Sequence, residues 1–188
     1  MRNLNRKAGA PDAGGWQARL DPAMGGYRPW LAETGSLTAR IQRACPREAP
    51  FAVRLLNQGH GRPCADEYPV LPLRAARLVQ VREVLLQSGS RPVVFAHTVA
   101  LERGRRLLER AGGRSLGGLL FSDPLVLAGP HHYRCLNARD RLYRHALPWC
   151  GDTAPRRLWA RRALFQRGRG LLLVTEVFLP AILDLNQP

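Results

Sequence analysis

Two charged residues sit where strand spacing surrounds them with apolar neighbours. In Leu171-Leu-Leu-Val-Thr-Glu-Val-Phe-Leu-Pro180, alternation sets Glu176 on one face with Leu172, Val174 and Phe178. In Val79-Gln-Val-Arg-Glu-Val-Leu-Leu86, Arg82 shares a face with Val84 and Leu86, while Glu83 lies opposite with Val81 and Leu85. A charge on an apolar surface is costly unless it is paired or used. Two readings stand. The simpler is a structural ion pair between strands of one sheet, or one of the two charges pointing to solvent. The other is an apolar pocket with a few placed polar groups. In such a pocket Arg82 offers a planar fork to a carboxylate. Glu176 accepts a hydrogen bond from a hydroxyl or moves a proton.

The elements that must carry these residues are legible in part. Residues 1–15 read as a disordered tail, and 16–188 as one domain. Ser36 is placed to cap a helix through Leu37 and Ile41. Residues 51–57 alternate weakly as a strand, and 58–72 read as a loop. Strands are expected over 78–86 and 93–99, joined by Gln87-Ser-Gly-Ser-Arg-Pro92, and over 158–165 and 171–179, joined by Gln166-Arg-Gly-Arg-Gly170. A helix over 101–111 should end at Gly112-Gly113, and a short ordered piece begins at Leu119. Residues 122–157 show no clear period. Strand hairpins with inserted helices predict an α+β fold on an antiparallel sheet.

Composition narrows the function classes. The chain has 188 residues and 45% apolar content, enough for one sizeable core. No apolar run reaches the roughly 18 residues of a membrane span, and no apolar segment follows the basic N-terminus, so a cytoplasmic protein without membrane insertion is expected. The net charge is +15, yet Lys7 is the only lysine and the arginines are scattered without interleaved aromatics. Nucleic-acid binding is therefore not expected; attraction of a small anion is. Cys45, Cys64, Cys135 and Cys150 form no CxxC pair and read as free thiols. His97 falls on a strand face with Val93, Phe95 and Val99 and reads as a core residue; His131-His132 lack partners at ligand spacing. No metal site is expected, and no GxSxG, P-loop or GxGxxG pattern is present.

Several segments together resemble the chorismate–pyruvate lyases of ubiquinone biosynthesis. They are Gly35-Ser-Leu-Thr-Ala-Arg40, Val81-Arg-Glu-Val-Leu-Leu86, Phe95-Ala-His-Thr-Val99, Ser115-Leu-Gly-Gly-Leu-Leu-Phe121, Leu158-Trp-Ala-Arg-Arg-Ala-Leu-Phe165 and the 171–180 block. The resemblance implies a single antiparallel sheet of about six strands with helices on one side and helical flaps over a buried ligand site. It implies a carbon–oxygen lyase that turns chorismate into 4-hydroxybenzoate and pyruvate with no metal or organic cofactor. It assigns Arg82 to the ring carboxylate and Glu176 to the ring hydroxyl, both as catalytic and binding residues. Leu116 falls where a backbone group meets the ligand. Leu37 stands where other members have a methionine lining it, and His97 where many have arginine. A monomer is expected, with product retained in the closed pocket. The alternative is a non-catalytic sensor of aromatic carboxylates on the same fold.

Overall fold

The computed structural model describes residues 2–3, 14–71, 73, 78–101, 104–112, 115–152 and 155–185. Its frame is an eight-stranded sheet in the order β1-β5-β7-β8-β4-β3-β2, with β6 also on β7. The strands are β1 (Arg2–Asn3), β2 (Phe51–Gly61), β3 (Val79–Ser88), β4 (Arg91–Ala100), β5 (Val126–Ala128), β6 (His132–Leu136), β7 (Leu158–Arg167) and β8 (Gly170–Phe178). All neighbours pair antiparallel except β1 with β5. The helices are α1 (Arg28–Leu31), α2 (Leu37–Ala44), α3 (Arg105–Ala111), α4 (Leu116–Ser122) and α5 (Arg141–Ala146).

The antiparallel α+β architecture is the expected one, and both predicted hairpins form. β3 and β4 meet at Ser88–Arg91, and β7 and β8 at Arg167–Gly170. The expected loop over 58–72 is a strand for its first four residues. There β2 runs on to Gly61 along the sheet edge, with Gln58 and His60 exposed. Ser36 caps α2 through its hydroxyl, which accepts from the Ala39 amide. The 101–111 helix is shorter than expected, running over Arg105–Ala111, and Gly112 ends it at φ 51°. The expected tail lies mostly outside the described residues; within it, Arg2–Asn3 lies alongside Leu127 and Ala128.

Both faces of β3 and β4 are buried, because the sheet is covered on two sides. On the front, α1, α2 and the Pro180–Asp184 turn pack over Val84, Leu86, Val94 and Phe178. Also on the front, α3 and α4 pack over Ala163, Phe165 and Leu172. On the reverse, α5 sets Leu142, Tyr143 and Ala146 against Leu85, Phe95 and Val177. The expected one-sided helix layer thus has an exception in α5. Its ordering comes from the 122–157 stretch that showed no sequence period.

Candidate active site

Alternation on four strands points one set of side chains into a cleft on the front of the sheet. Arg82, Val84 and Leu86 come from β3, and Ala96 and Thr98 from β4. Val174 and Glu176 come from β8, and Arg161, Ala163 and Phe165 from β7. The roof is the start of α2 (Leu37, Thr38) and α4 (Leu116, Gly117, Leu120, Phe121). The cleft and its mouth together span about 620 Å³, open solvent included. The four residues expected at the site, Leu37, Arg82, Leu116 and Glu176, all line it.

The two roof helices touch closely. A Cβ at Gly117 would lie 2.8 Å from Thr38 Oγ1, so glycine lets the first turn of α4 rest on α2. Ser36 and Ser115 cap the two helices through their hydroxyls. Leu37 and Leu116 follow directly, in the first turns, where backbone N–H groups have no helical acceptor.

Arg82 and Glu176 do not pair with each other. β4 runs between their strands, with Thr98 beside Arg82 and Ala96 beside Glu176. The simpler expectation, an ion pair linking these two, is therefore corrected. The Glu176 partner is Arg161, directly opposite on β7, with Nε donating to Oε2 at 2.6 Å. Arg161 Nη1 also donates to the Leu31 carbonyl at 3.3 Å and to the Glu33 carbonyl, which ties the end of α1 to the pair. Among the described residues Glu176 Oε1 accepts no hydrogen bond, and it belongs to a side chain that lines the cleft. Arg82, 2% exposed, donates from Nε to Gln58 Oε1 at 3.1 Å and from Nη2 to the Gly112 carbonyl at 2.9 Å. Burial lowers its pKa from the usual value.

Two cleft residues had no assigned role in the sequence. Arg161 stands in the Leu158-Trp-Ala-Arg-Arg block, and counting back from a two-residue turn at Gly168-Arg169 would have set it opposite Glu176. His131 had no such signal, because its neighbourhood lacks a period. Burial, with the nearby Arg161 charge, depresses its pKa to about 3, so it lines the cleft as a neutral imidazole. His97 points away from the cleft, to the reverse face, where it meets Glu67 and Glu83. Burial would lower its pKa, but the Glu67 carboxylate, helped by Glu83, outweighs burial and raises it to about 9.

A family model for chorismate lyase matches residues 16–187. The chain belongs to the chorismate lyase family. It is 45% identical over 167 residues to a probable chorismate pyruvate-lyase of Aromatoleum aromaticum, covering 84% of this chain and 86% of that one. It is 39% identical over 183 residues to one of Ralstonia nicotianae, covering 92% of each. Among solved structures it resembles the ligand-binding domain of a putative GntR-family transcriptional regulator from Bordetella bronchiseptica. That match has a TM-score of 0.52 and 20% identity, over 70% of this chain and 84% of that one. The structural likeness concerns the fold alone. The chorismate lyase family is set by sequence, over nearly the whole domain.

Proposed function

We propose that the cleft of this chorismate lyase family member binds chorismate and eliminates pyruvate from it, leaving 4-hydroxybenzoate. One observation carries the reading. The cleft has a buried guanidinium, Arg82, on one wall and an arginine-held carboxylate, Glu176, on another, with apolar side chains between them. Chorismate presents the complement: a carboxylate at one end of its ring and a hydroxyl at the other.

In this reading the Arg82 fork anchors the ring carboxylate. Glu176 Oε1 accepts the hydrogen bond of the ring hydroxyl, while Arg161 fixes the other oxygen. The ether bond between the ring and the enolpyruvyl group breaks, and its electron pair leaves with the enolpyruvyl oxygen. The proton on the hydroxyl-bearing ring carbon is lost, and the ring becomes aromatic. The departing enolpyruvate gains a proton and becomes pyruvate. Atoms and electrons balance within the substrate, so no oxidant, reductant or cofactor enters. Aromatisation supplies most of the driving force. The protein contributes orientation, charge balance and exclusion of water by Leu37, Leu116, Leu120 and Phe121. No described helix is long and apolar enough to cross a membrane. The reading is of a cytoplasmic monomer that supplies the ring precursor of ubiquinone and binds no nucleic acid.

The test is purified protein with chorismate, followed by the appearance of 4-hydroxybenzoate and pyruvate. Equimolar formation of both is expected. Binding of chorismate without product would instead favour a sensor role.

A further inference from the structure

A second constellation lies directly behind the cleft. Cys64, Glu67 and His97 converge on the reverse face of the sheet, at 5%, 1% and 1% exposure. One donor atom from each lies within 4.8 Å of the others. Glu67 Oε1 and His97 Nε2 are buried and make no hydrogen bond, although they face each other at 3.4 Å. Two donors on a tetrahedral zinc, with bonds of about 2.0–2.1 Å, lie about 3.4 Å apart.

The remaining atoms of these side chains are already held. Glu67 Oε2 accepts from the Cys64 amide at 2.7 Å, which fixes the turn and leaves Oε1 directed at His97. His97 Nδ1 meets Glu83 Oε1 at 3.1 Å, and the same oxygen meets His145 Nδ1 at 2.9 Å. A carboxylate on the far nitrogen of a histidine is the usual support of a metal ligand, since it sets the tautomer and aims the ring.

We propose that Cys64 Sγ, Glu67 Oε1 and His97 Nε2 form a three-ligand site for a borderline-soft divalent cation, with zinc the best match. Sulfur, nitrogen and oxygen donors in one set suit zinc and its neighbours and not magnesium or calcium. Water completes the tetrahedron. On binding, the Cys64 thiol and any protonated His97 each release a proton to solvent. Neither ligand spacing nor a CxxC pair marks the site, because His97 is a strand residue and the other two lie on a distant turn. The ion would staple the 64–71 turn to β4, behind the strands that carry Arg82 and Thr98. The proposal is independent of the chorismate reading. Its competitor is a proton on His97 that bridges Glu67 and Glu83.

Cobalt(II) titration of the chelator-stripped full chain is the test, with zinc content measured after desalting. The expected result is one equivalent of retained zinc and, with cobalt, a thiolate-to-metal charge-transfer band beside the intense visible bands of a tetrahedral ion. That charge-transfer band should vanish in Cys64→Ser and survive in Cys45→Ser. A wild-type spectrum with no such band overturns the site and leaves His97 with its proton. Survival of the band in Cys64→Ser overturns it as well. Circular dichroism confirms that each variant is folded, and the wild-type spectrum decides the matter even if Cys64→Ser does not fold.

Discussion

Arg161 and Glu176 face each other across the β7–β8 hairpin, and the guanidinium also holds the carbonyls of Leu31 and Glu33. One arginine thus fixes the proposed hydroxyl acceptor and the end of α1. Removing it leaves a largely buried carboxylate without its partner. Arg161→Met is expected to lower stability by about 2–4 kcal/mol in denaturant unfolding, a little less than for a wholly buried pair. It should also lower kcat. Arg161→Lys should recover part of the stability and little of the rate, because one ammonium cannot serve three acceptors in that geometry.

Arg82 anchors a substrate carboxylate in the proposed reading. Arg82→Ala is expected to raise KM for chorismate by about 10- to 100-fold, the worth of hydrogen bonds to a charged group. Arg82→Lys keeps the charge and loses the fork, so it should fall between. Unchanged substrate affinity in both would remove the anchor.

Glu176→Gln keeps the shape of the hydroxyl acceptor, and Glu176→Ala removes it. Both should lower kcat, by about 100-fold or more if the carboxylate assists proton removal. Near-normal turnover in both would take the catalytic role away.

The contact between Gly117 and Thr38 closes the roof of the cleft. Gly117→Ala places a methyl group 2.8 Å from Thr38 Oγ1, so the Thr38 hydroxyl must turn away or α4 must shift from α2. Overpacking of this kind costs about 1–3 kcal/mol. In the wild type the product should bind well in the same cleft and inhibit turnover. In the variant, progress curves should show weaker inhibition by added 4-hydroxybenzoate and a higher KM. Unaltered product inhibition would separate the roof from product retention.

His131 links pH to stability. Its folded pKa is depressed to about 3 from the ordinary 6.5, so the unfolded chain takes up a proton that the folded cleft refuses. Its contribution is intact above about 6.5 and is lost progressively as the pH falls towards 3. Thermal unfolding measured over that window should fall less steeply in His131→Asn than in the wild type.

The front-face residues were readable because strand alternation is a local property. Arg82, Val84 and Leu86 share a face in any strand, as do Val174 and Glu176, and the hairpin turns set both pairs of long strands. The ion-pair reading of Arg82 with Glu176 fails for a reason of topology. Hairpin neighbours are fixed by their turns, but the order β7-β8-β4-β3 is a long-range pairing, and it puts β4 between the two charges. α5 and His131 fell in a stretch with no period, and their placement comes from packing against the sheet.

The sequence by itself determined the antiparallel α+β class, the two hairpins, the Ser36 cap and the faces that carry Arg82 and Glu176, because each depends on residues a few positions apart. Only the tertiary structure decided that β4 keeps Arg82 apart from Glu176, and that α4 rests on α2 over the cleft. It alone brought Cys64, Glu67 and His97 together behind the sheet. The last two of these join segments far apart in the chain, and burial of two sheet faces, not local propensity, brings them within reach.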